Sequence, residues 1–125
     1  MEQPRRDLPE RTFEFARRIV TFCRKMEQKP GSSRLLANQL LRAGTSIGAN
    51  VQEGQAGQSR ADFISKYSIA CKEARETHYW LRLIASTDGR EDAELQSMIE
   101  EANQLVAILT IIVKKCREKK DKCKE

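Results

Sequence analysis

At 125 residues the chain is long enough for one domain with a core of its own and too short for two ordinary ones. A third of its residues are charged and only 6% are aromatic, yet Leu, Ile, Val and Ala recur in spaced groups, which excludes a disordered chain and fits a folded helical one. The net charge of +5 invites a nucleic-acid reading but is unevenly spread: residues 91–113 hold five acids and no base, and residues 114–125 hold seven bases against three acids.

The opening Met1-Glu2-Gln3-Pro4-Arg5-Arg6-Asp7 lacks the apolar core of a secretory signal, and the longest largely apolar run, 106–113, is far short of the roughly 20 residues that cross a bilayer. The expectation is a cytoplasmic protein with no membrane partner. Cys23, Cys71, Cys116 and Cys123 contain no Cys-x-x-Cys pair, so neither a zinc site nor a redox motif is expected, and the thiols read as free.

Lys29-Pro30-Gly31, Gly54-Gln55-Ala56-Gly57-Gln58 and Thr87-Asp88-Gly89 divide the chain into four helical stretches, with no proline in the stretches between these breaks. The first opens near Asp7, with Pro9 in the first turn and Glu10 completing a capping box, and carries Phe15, Ile19, Phe22, Cys23 and Met26 on one stripe. The second opens at Ser32 or Ser33 and presents Leu36, Leu40, Ala43, Ile47 and Val51. The third has Ser59 as its cap and aligns Phe63, Tyr67, Ala70, Ala74, Leu81 and Ile84, with a second line of Ile69, Trp80 and Leu83 beside it. The fourth begins between Asp88 and Glu91 and places Leu95, Met98, Ala102, Leu105, Leu109, Ile112 and Cys116 on a stripe of nearly 3.5 residues.

Four such helices with short connections predict an all-α, antiparallel up-down-up-down bundle. Residues 1–8 read as a flexible leading segment, 9–118 as the bundle domain and 119–125 as a basic tail. The apolar girth of the fourth helix over 106–113, with the second line on the third, exceeds what one bundle buries and points to self-association.

On the second helix Gln39, Arg42, Ser46, Asn50 and Glu53 form a polar stripe beside the apolar one, flanked by Ala43, Gly44, Gly48, Ala49 and Gly54. Small residues allow close helix approach, and a polar stripe at such a contact has to be paired, so Arg42 is expected to meet Glu76 of the third helix in a structural polar network. If buried, removal of Arg42 would strand the carboxylate at a cost of about 3 to 5 kcal/mol.

The run 39–54, with its Gln-x-x-Arg-Ala-x-x-Ser-Ile-x-Ala-Asn pattern followed by Glu53-Gly54, resembles the signature of the bacterial 23S rRNA intervening-sequence proteins. Asp62-Phe63, Ile69-Ala70 and Glu76 are similar to that family's third helix, and the spacing fits from about residue 12 to 118. The chain departs from the family pattern at Gly48, where proline is frequent, and at Glu73, where small residues are. The resemblance implies a left-handed four-helix bundle assembling as a ring-like homopentamer. It also implies a role in binding nucleic acid or, in a related group, as an accessory factor to a reverse transcriptase, with no catalytic residue to carry over.

No enzyme is expected. His78, the sole histidine, lacks the arranged partner of a general base, and its Arg75 stands where a bundle metal site would need a glutamate three residues before. No cofactor or metal ligand set stands out. Nucleic-acid contact is expected through Arg5, Arg6, Arg11, Arg17 and Arg18 at one end and Lys114, Lys115, Arg117, Lys119, Lys120 and Lys122 at the other, two groups that antiparallel packing would merge into one patch for RNA or DNA. The alternative is an oligomeric adaptor whose partner is another protein.

Overall fold

A computed structural model describes residues 8–28, 31–88 and 92–124. Four α-helices follow one another: α1, Leu8–Glu27; α2, Ser32–Gln55; α3, Arg60–Asp88; and α4, Ala93–Lys124. Side chains at 88 and 120–124 are outside the description, as is Asp7, on which the expected capping box of α1 rests.

The helix starts follow local chemistry. Ser59 Oγ accepts the backbone N–H of Asp62 at 3.1 Å, and Asp92 Oδ1 accepts those of Glu94 and Leu95 at 3.0 and 3.3 Å, so α3 and α4 open on side-chain caps. The helix α2 opens at Ser32, within the expected Ser32–Ser33 start, but on a different kind of cap. Its cap position is Gly31 at φ 81°, with no side-chain cap bond, so the chain enters α2 through the backbone freedom of glycine and not through a serine.

Consecutive helices pack on one another, and the contacts fix their directions. Gly44 lies on Ile19 and Gly48 on Thr12, which sets α1 and α2 antiparallel. Gly54 lies on Tyr67 while Arg42 reaches Glu73 and Glu76, which does the same for α2 and α3. Arg117 reaches Ser68 at one level, and Ile99 shares a cleft with His78 at another, so α3 and α4 are antiparallel too. The result is an up-down-up-down bundle. At 1.5 Å per residue the 32 residues of α4 extend about 48 Å.

The core is the sum of the local stripes. Phe15, Ile19, Phe22, Cys23 and Met26 of α1, Leu40, Ala43, Ile47 and Val51 of α2, Tyr67, Ala70, Ala74, Leu81 and Ile84 of α3, and Leu95, Met98, Ala102, Leu105 and Leu109 of α4 are all buried. Leu36, Phe63, Ile112 and Cys116 are only half-buried. Leu8 is buried as well, so the core begins inside the stretch read as a leading segment, and α4 continues as helix through the stretch read as a tail. Thr12 and Thr77 are buried polar residues, and each satisfies its hydroxyl by donating to a carbonyl four residues earlier, Leu8 and Glu73.

Cys23, Cys71 and Cys116 are free thiols. Burial, with a smaller contribution from Glu27, pushes the Cys23 thiol up to about 12, which leaves it protonated and unreactive.

The apolar surplus is distributed differently from the expectation. Within 106–113 only Ile111 among the large residues is exposed, and Val106, Ile108 and Ile112 are half-buried, as are Trp80 and Leu83. Among the described residues the most exposed large apolar side chain is Phe13 of α1, at 72%. It borders a groove between α1 and α2 lined by Ala16, Thr45, Gly48 and Ala49.

The Gly44 contact makes a clear test. A β-carbon there would lie 2.8 and 2.9 Å from the Cγ atoms of Ile19, a branched side chain with little room to yield. Gly44→Ala is expected to lower stability by about 1–3 kcal/mol in denaturant titration, even though alanine is the better helix former by about 1 kcal/mol.

Candidate nucleic-acid interface

The polar stripe of α2 lies on an open flank toward α3. Arg42 ion-pairs with Glu76 and lies 3.4 Å from Glu73, and the Trp80 indole donates to the same Glu76 carboxylate at 3.0 Å. The rest of the stripe stays within its own helix or in solvent: Ser46 Oγ donates to the Arg42 carbonyl, Asn50 Nδ2 donates to the Ser46 carbonyl, and Gln39 and Glu53 are exposed. The cross-helix network is therefore Arg42, Glu73, Glu76 and Trp80. The glycines that permit close approach serve other contacts, Gly44 and Gly48 with α1 and Gly54 with Tyr67, which is why the stripe is not sealed.

Among the amino-terminal basic residues, Arg5 and Arg6 lie outside the described residues. Arg11 grips Glu101 through two bonds of 2.6 and 2.8 Å and adds Gln104 at 2.7 Å. Arg18 grips Glu94 through two bonds of 3.1 Å and adds Ser97 at 2.9 Å. Arg17 pairs with Glu14 one turn back, and its guanidinium holds that carboxyl below its ordinary range. These three arginines are neutralised locally, and two of them are engaged with the acidic opening of α4.

The carboxyl-terminal group is in a different state. Lys114, Lys115, Arg117 and Lys119 are exposed on α4, and none has a carboxylate partner among the described residues. Arg117 donates instead to Ser68 Oγ at 3.2 Å. Lys120 and Lys122 lie on the same helix with side chains outside the description. The fold adds Arg75, which shares a cleft of about 400 Å³ with Lys114, Arg117, Ser68 and one acid, Glu118. Lys66 joins at the α2–α3 end, where its β-carbon lies beside Gly54. No local signal in the sequence marks Arg75 or Lys66.

Among the described residues the two basic groups do not merge. Arg11 sits at the level of Glu101 and Gln104, and Lys114 is ten residues further along α4, about 15 Å beyond. The carboxyl-terminal third of α4 thus runs past Leu8, the start of α1, and among the described residues packs mainly along α3.

His78 is half-buried on α3 in a cleft with Tyr79, Arg82 and Ile99. Burial first, and the Arg82 charge second, hold its pKa below the ordinary 6.5. Among the described residues no three His, Cys, Asp or Glu side chains converge on a metal-binding point, and no helix is long and apolar enough to cross a membrane.

Two measurements follow from this geometry. Glu73 and Glu76 keep 14% and 28% of their side-chain exposure and Arg42 keeps 50%, so the stranded carboxylates are only partly relieved by solvent, and Arg42→Met is expected to cost about 1–2 kcal/mol in denaturant titration, less than a fully buried pair would. Because the folded-state pKa of His78 is depressed, the unfolded chain binds the proton more readily and acidification through 6.5 lowers stability. The denaturation midpoint of the wild type is then expected to fall more between pH 7 and pH 5 than that of His78→Gln; parallel loss in both would remove His78 as the cause.

The family model for the 23S rRNA-intervening sequence protein matches residues 7–111, ending before the first lysine of the basic end of α4. A crystal structure of a protein of unknown function from the S23 ribosomal protein family of Bacteroides thetaiotaomicron VPI-5482 is similar, at 40% identity and a TM-score of 0.77. The alignment covers 85% of this chain and 97% of that one. No curated protein matches. A family model spanning most of the four helices, together with a relative that follows the same bundle nearly from end to end, places this chain in the bacterial four-helix bundle family of 23S rRNA-intervening sequence proteins.

Proposed function

We propose that this chain is a non-enzymatic, left-handed bundle that assembles with copies of itself in the cytoplasm and binds RNA or DNA without sequence preference through the basic end formed by α3 and α4. The observation that carries the reading is the concentration of Lys114, Lys115, Arg117 and Lys119 with Arg75 at one end, without acid partners among the described residues, while Arg11, Arg17 and Arg18 are neutralised. Cations that make no internal pair are the ones able to release counterions from phosphates.

Assembly is supported by exposed apolar groups on more than one face, Phe13 on α1 and Ile111 on α4. A closed ring needs two unlike patches on each subunit, one meeting the other on its neighbour. Five subunits is the number that the family resemblance implies, and a ring would repeat the basic end around one rim. The groove beside Phe13 supports a second reading, an adaptor that seats a helix of another protein against α1 and α2.

Light scattering at micromolar concentration is expected to give about five times the 14.3 kDa chain mass; a stable monomer would overturn the assembly. If about four phosphates are neutralised per site, affinity for a generic oligonucleotide should fall roughly a hundredfold between about 50 and 200 mM salt. A flat titration would discard the nucleic-acid reading in favour of the adaptor.

A further inference from the structure

A second cleft lies at the basic end, of about 280 Å³, below the 300–1,000 Å³ typical of pockets that enclose a drug-sized ligand. Gln55 of α2, Phe63 and Tyr67 of α3, and Ile112, Lys115 and Lys119 of α4 line it, and no described residue of α1 does. The cleft exists because α4 and the start of α3 run beyond α1, leaving that corner of the bundle open.

Its floor is rigid. Tyr67 is buried, its ring lies close against Gly54, where any β-carbon would come within 2.6 Å, and its hydroxyl accepts a hydrogen bond from Gln55 Nε2 at 2.7 Å. Phe63 stacks on it with ring centroids 4.0 Å apart and planes 23° from parallel. One face of Phe63 is thereby fixed against Tyr67, and the half-buried ring presents the remainder to the cleft. Lys115 and Lys119, one helical turn apart, are exposed at the rim without acid partners among the described residues.

We infer that this cleft holds one unpaired nucleobase against Phe63 while Lys115 and Lys119 contact the flanking phosphates, so that the basic end takes single strands in preference to duplex. This rests on the nucleic-acid reading above and adds the strand type and the seat. A supported aromatic ring beside lysines is the arrangement that binds single strands with little sequence preference, because every base offers a π-face. A base within a duplex has both faces covered by its neighbours and cannot enter.

The test is fluorescence anisotropy with three labelled probes of about twelve nucleotides: oligothymidylate, a duplex, and an oligomer of abasic residues. Wild-type protein is expected to bind oligothymidylate about tenfold more tightly than the abasic oligomer, and Phe63→Leu, which keeps apolar bulk without the ring, is expected to erase that difference and leave duplex binding unchanged. The double variant Lys115→Gln, Lys119→Gln should weaken both single-stranded probes and flatten the salt slope by roughly 1.4. Equal wild-type affinity for thymidylate and abasic oligomers overturns the cleft even if Phe63→Leu fails to fold, and leaves the wider basic surface standing. Absence of binding to any probe at low salt overturns both readings.

Discussion

Arg11 and Arg18 of α1 reach across to Glu101 and Glu94 near the opening of α4, and the distribution of charge over the whole bundle depends on that pair of two-bond grips. A guanidinium meeting a carboxylate in a parallel fork fixes geometry as well as charge, and the first pair is mostly shielded, with 24% and 19% of the two side chains exposed. The helices that follow one another in sequence pack closely, whereas α1 and α4, the ends of the chain, approach less closely and are tied beside the common apolar core by these arginines. They close the bundle and set its register together.

That register has two consequences for function. It neutralises Arg11 and Arg18, so that these two cations of the group suggested by the sequence are engaged within the fold. It also lets the last third of α4 run on beside α3 with no α1 across from it, which gathers the unpaired lysines at one end and opens the cleft floored by Phe63 and Tyr67. The acidic start and basic finish of α4 therefore do more than suit the helix dipole. One end of the helix is tied to α1, and the other carries exposed cations without acid partners among the described residues. The family match spans residues 7–111, which takes in most of the bundle and ends before the basic end of α4.

The sequence made the helices and their core stripes legible because both are local: apolar residues at steps of three and four declare a buried face within a single turn or two. The caps at Ser59 and Asp92 are local too, although Asp92 falls just past the stretch in which α4 was expected to open. The pairing of Arg11 with Glu101 spans ninety residues and leaves no mark in either neighbourhood. Without it the two basic groups look able to merge. Phe13 carries no such mark, because Phe15, two positions on, fits the core stripe, while Phe13, Ala16 and Val20 form a second, outward line at the same spacing. Arg42 and Glu76 share their contact across α2 and α3, but the depth of that contact depends on which glycine faces which helix, a property of packing that periodicity does not report.

The central claim is that the grip of α1 on α4 is a real energetic coupling. A double-mutant cycle on Arg11→Met and Glu101→Gln, read by denaturant titration, tests it most directly. The account expects a coupling of about 1–2 kcal/mol that weakens with added salt. Additive losses, with a coupling indistinguishable from zero at low salt, would contradict it.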